Sequence, residues 1–160
     1  AALGDTAGAR TAFEQAAGLL DAYARPGSVL VWLRARVQND LALLDLAEGR
    51  PAEAASRLTA ARALLRTRHA GSLTEGALLF DLAQAEAKAG NRPAAMSHFA
   101  EAFAVFGDQR GSLGPSAPAA ALYFDMLLEQ ADPAATEAFF AASQAVLSDA
   151  TAQARAGPVD

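Results

Sequence analysis

The sequence predicts an all-α fold of stacked helix pairs, and three observations carry that prediction. The first is a motif, Gly-x4-Ala-x3-(Leu/Phe)-x2-Ala, which occurs three times: Gly4, Ala9, Phe13, Ala16; Gly49, Ala54, Leu58, Ala61; and Gly90, Ala95, Phe99, Ala102. A fourth copy keeps Ala135, Phe139 and Ala142, with Gln130 in place of the glycine. Recurrence at a near-constant interval is the mark of a stacked repeat architecture. The second is composition: roughly a quarter of the chain is alanine and only 7% is aromatic. Alanine is the strongest helix former, and its small side chain lets helices approach closely. The third is spacing: apolar residues recur three and four apart, and glycine and proline punctuate the stretches between. At 160 residues and 52% apolar, the chain matches one domain with a continuous core.

Taken in order, the first helix runs from about Asp5 to Tyr23, with Asp5 or Thr6 as its cap and Ala9, Phe13, Ala16 and Leu20 on one face. Arg25-Pro26-Gly27-Ser28 breaks it. The second spans about Val29 to Glu48, with a stripe of Leu30, Leu33, Val37, Leu41 and Leu44, and ends at Gly49. Pro51 suits the first turn of the third helix, where a missing N–H costs nothing. That helix carries Ala54, Leu58, Ala61 and Leu65 and closes near His69-Ala70-Gly71. The fourth opens with a capping box, in which Ser72 and Glu75 satisfy each other's free backbone donors, and ends at Gly90. The fifth starts at Pro93 and carries Ala95, Phe99, Ala102, Phe103 and Phe106. Gly107 to Pro118, rich in glycine and proline, predicts a long exposed and mobile loop. A sixth helix spans about Ala119 to Gln130. Asp132-Pro133 starts a seventh, and the tail from Ala150 to Asp160 loses its apolar stripe and is expected to fray.

The net charge of −5 gives no general attraction to nucleic-acid phosphates or anionic membranes, so neither is expected as a partner. There is no cysteine, and His69 and His98 are too few and too far apart to suggest a metal cluster. No cofactor or metal is implied, and no apolar run reaches the ~18–20 residues of a membrane span. Of the thirteen basic residues only Lys88 is lysine, which with the abundant alanine points to a GC-rich bacterial genome; a cytoplasmic location is the expectation. The chain opens in mid-repeat without a methionine and reads as a segment of a longer protein.

Two helices per unit, a turn glycine, then alanine, aromatic and alanine on the second helix resemble tetratricopeptide repeats. The resemblance implies a right-handed α-solenoid: a single domain over 1–160, with a partial repeat at 1–24 and repeats at about 28–70, 72–107 and 117–150. In that family the small alanines let paired helices touch, and the aromatic plugs the gap to the next unit. The anchors Phe13, Leu58, Phe99 and Phe139 lie 45, 41 and 40 residues apart, longer than the usual ~34. The family's tyrosine on the first helix of each unit is replaced by Asp45, Glu86 and Met126, and its closing proline is absent. A narrower stretch, Tyr123 to Leu128 followed by Glu137 to Gln144, resembles the last repeats before the caspase-like domain of bacterial CHAT-domain proteins. That likeness implies a sensor arm serving a downstream protease, with no catalytic residue in this chain.

The resemblance assigns partner-binding positions to the first helix of each pair: Arg36, Asn39 and Leu43; Phe80, Gln84 and Lys88; Phe124 and Leu128. Such a mixed surface suits an extended or helical peptide. The competing reading packs Phe80, Phe124 and Leu128 into the core. A two-carboxylate clamp is not expected, because Leu43 occupies one of its positions. Arg57, Arg62, Arg66 and Arg68 read as a solvated basic face near a helix C-terminus, or as a phosphate-binding patch. Asp40 with Asp45, and Asp81 with Glu86, are five apart and diverge by ~140° on a helix, so they read as solvated carboxylates, not an acid–base pair. His98 is expected to point outward. Trp32 is expected to pack on the first helix, with an exposed partner anchor as the alternative.

The leading expectation is thus a non-catalytic protein–protein interaction scaffold, the sensor or regulatory segment of a larger bacterial protein. Its partner is a protein or peptide, or its own downstream domain. A repeat segment of a signalling or transcriptional regulator is the related alternative. Self-association into a homo-oligomer is the reading from a different class, and an enzyme is the least expected.

Overall fold

The computed structural model describes residues 6–23, 27–109, 116–130 and 132–156. Seven helices and no strands occur among them: α1 (Thr6–Asp21), α2 (Ser28–Ala47), α3 (Pro51–His69), α4 (Leu73–Lys88), α5 (Arg92–Gln109), α6 (Ala117–Gln130) and α7 (Pro133–Ala156). The fold is all-α and repeat-like. Each helix packs on its neighbours in sequence, and α2 also meets α4, α4 meets α6, and α5 meets α7.

The turns follow from the residues at the helix ends. Gly49 and Gly90 take φ of 75° and 85°, a region that glycine enters without Cβ strain. Each closes the same cap. The Arg50 N–H donates to the Asp45 carbonyl at 2.8 Å and the Gly49 N–H to that of Leu46 at 3.2 Å. One repeat on, the Asn91 N–H donates to Glu86 at 2.8 Å and the Gly90 N–H to Ala87 at 3.1 Å. This double bond pattern satisfies carbonyls that a helix end otherwise leaves open. At α4 the capping box is shifted. The Ser72 Oγ accepts from the Glu75 N–H at 3.2 Å, but the Glu75 carboxylate accepts from Gly71, not from Ser72. The Ser72 N–H is already spent on the His69 carbonyl. At α7 the Asp132 Oδ1 accepts from the Ala135 N–H at 2.7 Å.

Two stretches are more helical than their composition suggests. α5 runs through Gly107 to Gln109, because Phe103 and Phe106 bury its last turns and outweigh the ~1 kcal/mol helix penalty of glycine. Ser116 is buried at the head of α6, so the expected exposed loop is shorter than Gly107–Pro118 at both ends. Its middle, 110–115, lies outside the described residues, as do the expected cap at Asp5 and the break at Arg25-Pro26. α7 extends through the expected fraying point to Ala156, helped by the alternate alanines Ala150, Ala152, Ala154 and Ala156.

The core has three parts. Leu20, Val37 and Leu41 join α1 to α2. Ala42, Ala54, Leu58, Ala61, Leu78, Leu82 and Ala85 join α2, α3 and α4. The third and largest part is aromatic. Phe80 meets Phe103 edge-on at 5.1 Å, Phe103 lies 5.4 Å from Tyr123, and Phe124 meets Phe139 at 5.1 Å, a run of rings from α4 to α7. The motif residues do as the spacing predicts: Ala54, Leu58 and Ala61, then Ala95, Phe99 and Ala102, are all fully buried.

Candidate partner-binding cleft

α2 places Trp32, Ala35, Arg36, Asn39 and Leu43 on one face, at helical spacings of three and four. α4 places Leu73, Ala77, Asp81 and Gln84 opposite them. Between the two faces is a cleft of about 600 Å³, lined also by Phe106 from α5, by Ser116, and by Pro118 and Ala119 from α6. Phe106 reaches the cleft because Gly76 has no side chain: a Cβ there would stand 2.9 Å from the Phe106 ring.

The polar floor is rich in acceptors. The Asn39 Nδ2 donates to the Asp81 Oδ2 at 3.0 Å. That bond sets the amide orientation, since the reverse would bring its oxygen against a carboxylate. The Asn39 Oδ1 is buried and has no hydrogen-bond partner. Burial pushes the Asp81 carboxyl above its ordinary value, with repulsion from Asp40 adding to it; the Asn39 hydrogen bond and the Arg36 charge act the other way. Arg36 itself is engaged by Asp40 at 3.3 Å.

The structure divides the expected partner-binding residues. Arg36, Asn39, Leu43 and Gln84 line the cleft together. Phe80 does not: it is fully buried among Phe99, Phe103 and Phe106, and the face presented at that turn belongs to Asp81. Phe124 is half-buried against Phe103 and Phe139. Lys88 is exposed at the end of α4, beyond the lining residues, and Leu128 is exposed on α6. Trp32 belongs to the cleft and not to the cluster that joins α1 to α2. Its signal was present in the sequence: it lies four and seven residues before Arg36 and Asn39, on the same stripe.

The charges expected on a solvated surface are mostly structural. Asp45 is 2% exposed and accepts from Arg10 at 2.9 Å, Arg50 at 2.6 Å and Arg57 at 3.0 Å. Burial alone would raise its pKa, but the hydrogen bonds from Arg50, Arg57 and Arg10 outweigh that and lower it. Arg57 also donates to Gln38 at 3.1 Å. Arg62 bridges the buried Glu75 at 3.2 Å and Glu101, and Arg66 approaches Glu75 at 3.7 Å. His98 does not point outward: its Nδ1 lies 2.8 Å from Glu86. The helix wheel could not reveal these pairs, because each partner lies outside the helix that carries the other.

Among the described residues, no group of three or more His, Asp or Glu converges as a metal site, and no helix is long and apolar enough to cross a membrane. A second cavity, of about 440 Å³ between α5, α6 and α7, is walled mainly by alanines around Phe103 and Tyr123. No family model matches this chain, and neither a curated protein nor a solved structure shows detectable similarity to it.

Proposed function

We propose that this chain is a non-catalytic binding segment, a right-handed solenoid of tetratricopeptide-like pairs that holds a peptide segment of a protein partner in the α2–α4 cleft. The observation that carries the reading is the cleft itself. It combines an exposed aromatic, Trp32, and apolar walls with hydrogen-bonding groups that converge from two helices, the composition of a recognition groove. The long-period repeat motif and the contacts between alternate helices support the solenoid. On this reading the segment serves a larger protein, as the sensor arm of a caspase-like protease or of a signalling regulator.

Trp32 is the only tryptophan, so its fluorescence reports on the cleft. Peptides selected from a displayed random twelve-residue library should shift Trp32 emission and bind Trp32→Ala at least ten-fold more weakly. Selected peptides that leave the emission unchanged and bind the variant equally well would show that the cleft is not the binding site.

Self-association is a second reading, favoured by one observation. Leu128, Phe140 and Leu147, on the last two helices, are 65%, 62% and 64% exposed. Burying such side chains between two copies would stabilise a dimer.

A further inference from the structure

We infer that the segment held in the α2–α4 cleft carries a basic side chain, lysine or arginine, which docks on Asp81 and the Asn39 Oδ1 beside Trp32. The inference rests on the binding role proposed above and assigns the chemistry of the occupant.

Three independent features of the cleft lead to it. The first is charge. Among the described lining residues, Arg36 is engaged by Asp40, and no cation pairs with Asp81, whose hydrogen-bond donor is the neutral Asn39. The Arg36 charge reaches Asp81 only beyond ion-pair distance, so the cleft presents a carboxylate without a paired cation within a low-dielectric wall, where an opposite charge interacts more strongly than in bulk water. The second is the orphaned acceptor. A buried oxygen without a donor is destabilising, and Asn39 cannot relieve it by turning over, because its amide oxygen would then oppose the carboxylate. An ammonium or guanidinium group brings several donors at once and can serve both oxygens, whereas an aliphatic or acidic side chain brings none. The third is Trp32. It lies on α2 two turns before Asn39, half-exposed on the same face. An aromatic ring there covers the methylene stem of a long basic side chain and attracts its charge through the ring face.

Burial raises the pKa of Asp81, and neither the Asn39 hydrogen bond nor the charge of Arg36 offsets it. An anionic segment is disfavoured by the same groups, so this cleft has the opposite preference to a carboxylate clamp.

The test uses synthetic end-blocked versions of the peptides selected on the library, titrated against Trp32 emission. Three changes are made: Asp81→Asn in the protein, norleucine for the basic residue in the peptide, and both together. The expected result is a loss of ten-fold or more for either change alone, with little further loss when they are combined, and a salt dependence that disappears in Asp81→Asn. The norleucine exchange is made on the peptide, so its effect is independent of any change in the protein's stability. Selected peptides that require Trp32 but bind equally well with norleucine would overturn the basic-residue assignment while leaving the cleft as the binding site. Failure of the library to yield any Trp32-dependent peptide would overturn the binding role and the assignment together.

Discussion

The joint between α2 and α3 adds a cluster of charges to its apolar packing; the joint between α6 and α7, at the same place in the repeat, is built on apolar side chains. Asp45, Glu86 and Met126 occupy one position, four residues before the turn residue Gly49, Gly90 or Gln130. Arg57, His98 and Ala138 occupy the facing position, one residue before the anchors Leu58, Phe99 and Phe139. The first pair is part of a buried cluster with Arg10 and Arg50. The second is a half-buried His98–Glu86 contact. The third lies within the aromatic core. A buried carboxylate is tolerable only where several donors replace its water. Asp45 has three, from α1, from the turn and from α3, so it ties three pieces of chain together with directional bonds. The apolar joint relies on area and ring packing, worth about 25 cal/mol per Å² of apolar surface buried.

Exchanging the chemistry of the joints tests this contrast. Met126→Asp places a carboxylate in the aromatic core, where the neighbouring Arg92 is already engaged by the Met126 carbonyl at 2.8 Å and by Glu129. The variant should lose about 3–5 kcal/mol in urea denaturation, the scale of an uncompensated buried charge. A loss below ~1 kcal/mol would mean that the C-terminal joint is open enough to hydrate the new group. Asp45→Asn should cost less, about 2 kcal/mol, because Arg50 and Arg57 are 42% and 33% exposed and regain water when their partner is neutralised.

That difference should depend on pH. The folded-state pKa of Asp45 is lowered, so the charged form stabilises the fold above the unfolded-state pKa, and this contribution is lost as the pH falls through the folded value. The gap between wild type and Asp45→Asn should therefore narrow in acid. Asp81 has the opposite sign, since its raised pKa penalises the charged form as the pH rises. The smallest effect is expected at the middle joint. Glu86→Met with His98→Ala copies the third joint into the second and should change stability by less than about 1 kcal/mol, measured by the same denaturation, because both partners of a polar contact are removed together. A loss above ~2 kcal/mol would show that the pair is an anchor comparable to Asp45.

The helix boundaries were legible because they depend on local chemistry. Glycine at Gly49 and Gly90, proline at Pro51 and Pro93, and Ser72 before Glu75 act within one turn of chain. The buried face of each second helix was legible for the same reason, since Ala54, Leu58 and Ala61 recur with the helical period. Half of the expected partner-binding positions line the cleft: Arg36, Asn39, Leu43 and Gln84. Phe80 and Asp81 could not be told apart. They are adjacent on α4, and which of them meets solvent depends on how far α5 rotates the helix against its own aromatic residues. The acidic and basic residues misled for a related reason. A carboxylate five residues from another looks solvated until a guanidinium arrives from a different helix.

The sequence by itself therefore determined that this chain is helical, where most of its turns fall, and which small residues the second helices bury, because propensity, capping and periodicity operate within a few residues. Tertiary structure alone decided that Asp45 and Glu75 are interior, that Trp32 turns away from α1 into the cleft, and that Asn39 and Asp81 meet across it. Those outcomes depend on groups up to some forty residues apart, and only the packing of one helix on another sets their distances.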